Sequence, residues 1–325
     1  MIKKVLFSVV LTPIIYILIA VMLTILPVDK TPSGDGLDFE QLPSPDRVSV
    51  STIETSLVAR DGNRLFCRMV EGGPDLVIVL IHGSGADGRY LLPMAEMLNK
   101  QANATVVIPD LRGHGRSALG KLGDVSYLGQ YDHDLEDLNL LLRREFPKAK
   151  IVLGGHSSGG GLALRYGGNG LAEFDSYLFL APYLGFDAPT VRPNSGGWVT
   201  VSTRRYVGLS MLNRIQITAL NGTRVLFFNR PETIDDPLLA DSYSYRLNQS
   251  FAPASFEDDL SANTKPILVL VGQDDEAFYA NRFEPIFQKS APLAEVYVLP
   301  DIKHLDLVHR PEGVDFIIEW LALDQ

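Results

Sequence analysis

Five residues, Gly155-His156-Ser157-Ser158-Gly159, form a G-x-S-x-G pattern. A serine hydroxyl is a weak nucleophile until a neighbouring base takes its proton, so the pattern carries chemistry only if other segments supply that base and its support. Glycine on either side of Ser157 suits a sharp strand-to-helix turn that exposes the hydroxyl at a strained backbone angle. The surroundings fit such a turn. An apolar run, Ile151-Val152-Leu153, precedes it, and a small-residue helical stretch from Gly159 to Tyr166 follows. Without partners elsewhere, the same residues would be only a glycine-rich turn.

Three other segments could supply the partners. His82-Gly83-Ser84-Gly85 follows the apolar run Leu76–Ile81. Acyl transfer needs backbone N–H donors aimed at a developing oxyanion, and the expected donors are Ser84, with Gly83 second, and Ser158. His82 reads as a structural loop histidine. Gln273-Asp274-Asp275-Glu276 follows the run Ile267–Val271. Asp275 is the chosen acid and Asp274 the alternative. Leu299-Pro300-Asp301-Ile302-Lys303-His304 follows the last short strand, which places His304 as the base. His309, Asp306 and Glu312 lie nearby but deeper into the next segment. Ser157, Asp275 and His304 thus read as nucleophile, acid and base, with the acid holding the imidazole tautomer.

The elements that must position these loops alternate. Val48–Arg60 and Arg64–Glu71 read as a hairpin around Asp61-Gly62-Asn63. Continuous apolar runs at Leu76–Ile81, Ala104–Pro109, Ile151–Leu153, Tyr177–Leu180 and Ile267–Val271 suit strands covered on both faces. Glu295–Leu299 is a last short strand. Helical spacing appears at Tyr90–Gln101, Tyr127–Phe146 and Val314–Leu323. The pattern predicts an α/β fold, with a mostly parallel sheet and helices on both faces. Residues 187–257 lack a buried-strand run at the core's spacing and read as an inserted cap or lid. That leaves residues 48–186 and 258–325 for the core.

Lys3 and Lys4 precede an uncharged stretch from Val5 to Leu26, the length of a transmembrane helix. The exit Leu26-Pro27-Val28-Asp29-Lys30 has no small-residue cleavage site, which favours an uncleaved anchor, residues 1–27, over a cleaved signal peptide. The flanking lysines place the N-terminus in the cytoplasm and the large domain on the outer, periplasmic or extracellular side. Residues 28–47 read as a linker. The net charge of −10 gives no footprint for nucleic acid. The single cysteine, Cys67, rules out an internal disulfide and reads as a small buried hydrophobe. No histidine spacing suits a metal, and no phosphate-binding loop or dinucleotide fingerprint is present, so no cofactor is expected.

Three segments together resemble a known family: His82-Gly83-Ser84-Gly85-Ala86-Asp87-Gly88-Arg89-Tyr90, Asp110-Leu111-Arg112-Gly113-His114-Gly115-Arg116-Ser117 and Gly155-His156-Ser157-Ser158-Gly159-Gly160. They are similar to the monoacylglycerol lipase and lysophospholipase-like branch of α/β-hydrolases, which is also grouped with serine aminopeptidase-like hydrolases. The resemblance implies an α/β-hydrolase fold and a serine hydrolase. It implies Ser157 as nucleophile, Asp275 as acid, His304 as base, and the N–H groups of Ser84 and Ser158 as oxyanion donors. The implied substrate is a carboxylic ester, lipid-like if the anchor brings the site to lipids. An amidase or aminopeptidase and an acyltransferase remain open, as does a membrane-tethered binding module without catalysis. Ser158 stands where the branch often has methionine, and the cap matches no subfamily.

Overall fold

The computed structural model describes residues 2–28, 36–38, 51–169, 171, 174–231 and 233–323. Apart from residues 28 and 36–38, the expected linker therefore lies outside the described residues, as does the start of the expected hairpin. The N-terminal half contains α1 (Ile2–Ile25), β1 (Ile53–Val58), β2 (Arg64–Val70), β3 (Gly73–Ile81), α2 (Leu92–Ala102), β4 (Ala104–Pro109), α3 (Gln130–Glu145), β5 (Lys150–His156), α4 (Ser158–Gly168) and β6 (Ser176–Leu180). Next come β7 (Val199–Val201), α5 (Thr203–Arg214), β8 (Arg224–Phe228), β9 (Ser242–Ser244), α6 (Tyr245–Phe251) and α7 (Phe256–Ala262). The chain closes with β10 (Ile267–Gly272), α8 (Phe283–Ser290), β11 (Glu295–Leu299) and α9 (Glu312–Leu323).

Eight strands form one sheet in the order β1-β2-β4-β3-β5-β6-β10-β11. The β1–β2 and β2–β4 pairs are antiparallel, and every other pair in this sheet is parallel. β6 and β10 are buried along their whole length, and β5 is buried apart from its first residue. This is why they appear as unbroken apolar runs rather than alternating ones. Because β3, β5, β10 and β11 run in parallel, the loops after them emerge at one edge of the sheet, where open α/β sheets bind ligands. α3 starts at Gln130 rather than Tyr127. Gly129 caps it at φ 82°, and the Gln130 side chain accepts the Ser126 N–H at 2.7 Å.

The stretch between β6 and β10 contains its own three-stranded antiparallel sheet, in the order β7-β8-β9. The apolar runs of the sequence gave no sign of it. Side-chain bonds join it to the loop before α3. Asp124 accepts from the Ser244 hydroxyl at 2.6 Å and from two nitrogens of Arg246 at 2.8 and 2.6 Å. Arg224 donates to the Leu122 carbonyl at 2.7 Å.

The expected membrane-spanning helix is not supported. Its residues do fold as α1, but among the described residues no helix is long and apolar enough to cross a membrane. One side of α1 is instead committed to protein. Ala20 and Thr24 are buried, the Tyr16 hydroxyl donates to the Met211 carbonyl of α5 at 3.0 Å, and a Cβ on Gly208 would lie 2.5 Å from the Ala20 carbonyl oxygen.

Candidate active site

Ser157 sits between β5 and α4 with φ 56° and ψ −121°, a left-handed conformation that side chains other than glycine rarely adopt. The flanking glycines are required by close approach. A Cβ on Gly155 would lie 2.3 Å from the Gly159 carbonyl, and one on Gly159 would lie 2.4 Å from the Ile81 carbonyl oxygen. Backbone bonds hold the turn in place. The Ser157 N–H donates to the Leu180 carbonyl at 2.9 Å, and its carbonyl accepts from Gly161 at 3.1 Å and Tyr183 at 2.9 Å.

The loops after β10 and β11 bring Asp275 and His304 together. His304 Nδ1 meets Asp275 Oδ2 at 2.7 Å, and both side chains are buried. The second oxygen of Asp275 accepts the N–H groups of Ala277 and Phe278, each at 2.8 Å. The carboxylate is thus fixed as an acceptor, and the Nδ1 proton goes to it, which leaves Nε2 of His304 with its lone pair. Of the adjacent acids, it is Asp275 and not Asp274 that meets the imidazole. Burial alone would pull the His304 pKa down, but the Asp275 carboxylate overrides it and holds it above the ordinary histidine value.

His156, the chain neighbour of Ser157, packs against His304. Its ring lies 4.5 Å from that of His304, centroid to centroid, and its Nε2–H donates to the His304 carbonyl at 3.0 Å. Its Nδ1 accepts from the Tyr90 hydroxyl at 3.0 Å, and Tyr90 accepts the Gly83 N–H at 2.7 Å. Each donor in this chain meets an acceptor only if His156 is neutral. Burial, then the neighbouring His304, hold its pKa well below the ordinary value. Among the described residues the Ser157 hydroxyl caps nothing at the start of α4.

The loop after β3 abuts the serine, since a Cβ on Gly83 would lie 3.2 Å from that of Ser157. Here the structure narrows the two oxyanion alternatives. The Gly83 N–H is committed to Tyr90, and the Gly85 N–H donates to the Tyr243 hydroxyl at 2.6 Å. Ser84 lies between them, so of these three amides its N–H remains for a ligand. Ser158, at the first position of α4, has an N–H that no intrahelical carbonyl can reach.

Three contacts at this loop were missed by sequence reasoning. Tyr90 and Tyr243 hold its amides, and Arg230 donates to the Gly85 carbonyl at 3.1 Å. Tyr243 and Arg230 come from the stretch between β6 and β10, and nothing local in the sequence marks a tyrosine as the partner of a glycine so far away. Tyr90 lies in the His82–Tyr90 segment, but its residue type alone does not mark it as the acceptor of the Gly83 N–H. His82, His114 and His309 are tied into the fold away from the Asp275–His304 pair. His82 accepts the Leu111 N–H at 3.1 Å and donates to the Gly83 carbonyl at 2.9 Å. His114 Nε2 accepts from Tyr243 at 2.5 Å. His309 bonds to the Leu305 carbonyl and lies beside Asp306 at 3.5 Å. Cys67 is buried in β2, and burial pushes its thiol up to about 12. Among the described residues no cluster of three or more His, Cys, Asp or Glu is arranged to hold a metal ion.

Residues 72–305 match the family described as serine aminopeptidase S33. The rat (Rattus norvegicus) monoglyceride lipase is 27% identical over 231 residues, which cover 67% of this chain and 72% of that protein. A proline iminopeptidase of Saccharolobus solfataricus is 38% identical over a shorter stretch of 99 residues, 30% of each chain. Among solved structures, a soluble variant of the Saccharomyces cerevisiae monoglyceride lipase in complex with a substrate analog superposes with a TM-score of 0.65. It has 18% identity and covers 87% of this chain and 99% of that one, a likeness of fold.

Proposed function

The chain belongs to the serine aminopeptidase S33 family of α/β-hydrolases, and from that premise we propose that it cleaves carboxylic esters through an acyl-enzyme on Ser157. The observation that carries the reading is the strained Ser157 turn beside a buried His304–Asp275 pair at 2.7 Å. In this mechanism Nε2 of His304 takes the Ser157 proton as Oγ attacks the acyl carbonyl. The N–H groups of Ser84 and Ser158 receive the oxyanion. His304 then returns the proton to the leaving alcohol. Water, deprotonated by the same imidazole, releases the acid and restores the serine. The likeness to monoglyceride lipases supports a lipid-like ester, a monoacylglycerol or lysophospholipid, entering beneath a cap formed by residues 187–257. The match to a proline iminopeptidase gives amide cleavage a specific ground as second reading.

The test is fluorophosphonate labelling of the full chain. It is followed by hydrolysis of short and long p-nitrophenyl esters, monoacylglycerols and aminoacyl amides, each beside Ser157→Ala. Labelling at Ser157 with turnover of long-chain esters is the expected result. Turnover of amides alone would move the assignment to the second reading, and an unlabelled, folded protein would overturn both.

We further propose that α1 attaches the enzyme to the surface of a lipid bilayer. Supporting this, the side of α1 turned away from α5 exposes Leu18 at 62%, Met22 at 52% and Ile25 at 69%. An apolar stripe of this kind rarely faces water in a monomer. Fractionation of expressing cells should leave the protein with membranes through a high-salt wash and release it with detergent. Recovery in the salt wash would refute the attachment.

A further inference from the structure

Three separate side chains hold His304. Its imidazole meets Asp275, and its carbonyl accepts from His156. Its amide N–H donates to Glu276 Oε2 at 2.9 Å. The first contact belongs to the mechanism above. The third comes from the last of the three clustered acids, a residue with no role so far. The other oxygen of Glu276 accepts the Asp38 N–H at 3.3 Å, and the Asp38 carboxylate meets Lys303 Nζ at 2.6 Å. The loop is also hemmed in behind. A Cβ on Gly196 would lie 2.0 Å from the Glu276 carbonyl oxygen, and the Gly196 carbonyl accepts the Gly36 N–H at 3.2 Å. One carboxylate therefore joins the acid loop, the base loop and residues 36–38.

We propose that Glu276 is a positioning residue for His304, acting on it through the backbone amide and through its negative charge. The inference rests on the reading of His304 as the base of an acyl-enzyme mechanism. His304 lies in a loop beyond β11, where no strand ladder fixes its backbone. A base must stay within hydrogen-bond reach of its nucleophile, and a misplacement of about 1 Å costs on the order of a hundredfold in rate. A carboxylate accepts an N–H more strongly than a neutral group does. The charged groups facing His304 are Asp275 and Glu276, the neutral His156 ring packs on it, and Asp38 pairs the neighbouring Lys303. Burial opposes protonation of His304, while Asp275 first and then Glu276 favour it.

The experiment compares the full-length wild type with Glu276→Gln and Glu276→Ala. The pH profile of p-nitrophenyl ester hydrolysis and fluorophosphonate labelling of Ser157 are followed for each. In Glu276→Gln the carboxamide oxygen still accepts the His304 N–H, so the fold stays intact. Its kcat should fall about three- to tenfold with KM within about twofold. Its acid limb should move to lower pH, because loss of the negative charge favours neutral His304. Glu276→Ala should shift the limb the same way and lose roughly another tenfold in kcat, since the amide is left without its acceptor. Should the alanine variant fail to fold, the glutamine variant decides. A purely structural role would leave the acid limb of Glu276→Gln in place. A labelled, active wild type with unchanged kcat and limb in the glutamine variant overturns the inference alone. A folded wild type that neither labels nor turns over overturns the acyl-enzyme reading and this inference with it.

Discussion

The core sheet and the stretch between β6 and β10 are held in place differently. In the core, position is set by backbone against backbone. β5, β6 and β10 are buried, and the turn at Ser157 leaves no room for a Cβ at Gly155 or Gly159. In the inserted stretch, β7 and β9 have three residues each, and the burial of β8 alternates. Its attachment adds charged side chains, Arg224 and Arg246 among them, to a few backbone bonds such as Ser244 N–H to the Gly123 carbonyl at 2.9 Å. Close backbone packing tolerates little rearrangement, whereas side-chain bonds, which carry most of the second region's contacts named above, are exchanged more readily. Chemistry is therefore expected to reside in the first region and substrate choice in the second.

The largest effects should come from the core. Ser157→Ala should reduce ester turnover by at least about 10⁴-fold with unchanged thermal stability, read from kcat and a melting curve. Asp275→Asn should lower kcat by roughly 10³- to 10⁴-fold, because the amide cannot hold the His304 tautomer in the same way. In the wild type, kcat/KM should rise with pH along a limb whose midpoint lies above the ordinary histidine value. The imidazole must be neutral to act, and Asp275 keeps it protonated to higher pH. Tyr243→Phe tests whether the division between the regions is clean. Tyr243 belongs to β9 yet holds the Gly85 amide of the loop that carries Ser84, so kcat should fall about tenfold. No change in kcat would mean that the inserted stretch plays no part in arranging the oxyanion loop. The smallest effect is expected from Arg246→Met, which removes the bonds to Asp124. KM for long-chain esters should change a few-fold, kcat should hold, and stability should fall by about 1–3 kcal/mol in a denaturant titration.

The same contrast explains what could be read from the sequence. Strands such as Ala104–Pro109 and Glu295–Leu299 were legible to the residue, because a run of β-formers bounded by turn residues has few other fates. Ser157, Asp275 and His304 could be listed because each follows such a strand, and parallel strands bring the loops after them to one edge. The β7-β8-β9 sheet was not legible. Arg224–Phe228 is a five-residue strand, and its three-residue partners carry no periodicity of their own. The hydroxyls of Tyr90 and Tyr243 on the oxyanion loop, and the Glu276 bond to the His304 amide, were also hidden. Each is a single polar contact whose partner is set by tertiary placement, not by neighbours in sequence. The apolar N-terminal stretch was legible as a helix but not in its surroundings, because nothing in its composition reveals that Gly208 of α5 leaves room for Ala20 and Thr24.

The chain carries one cysteine, and it lies inside β2, 2% exposed, with a thiol that stays protonated at neutral pH. For alkylating probes the native protein is consequently silent. A reporter thiol introduced at an exposed position of α5, as in Val207→Cys, would be the one site modified. Spin or fluorescent labels could then follow the inserted stretch during turnover without any native residue having to be removed first.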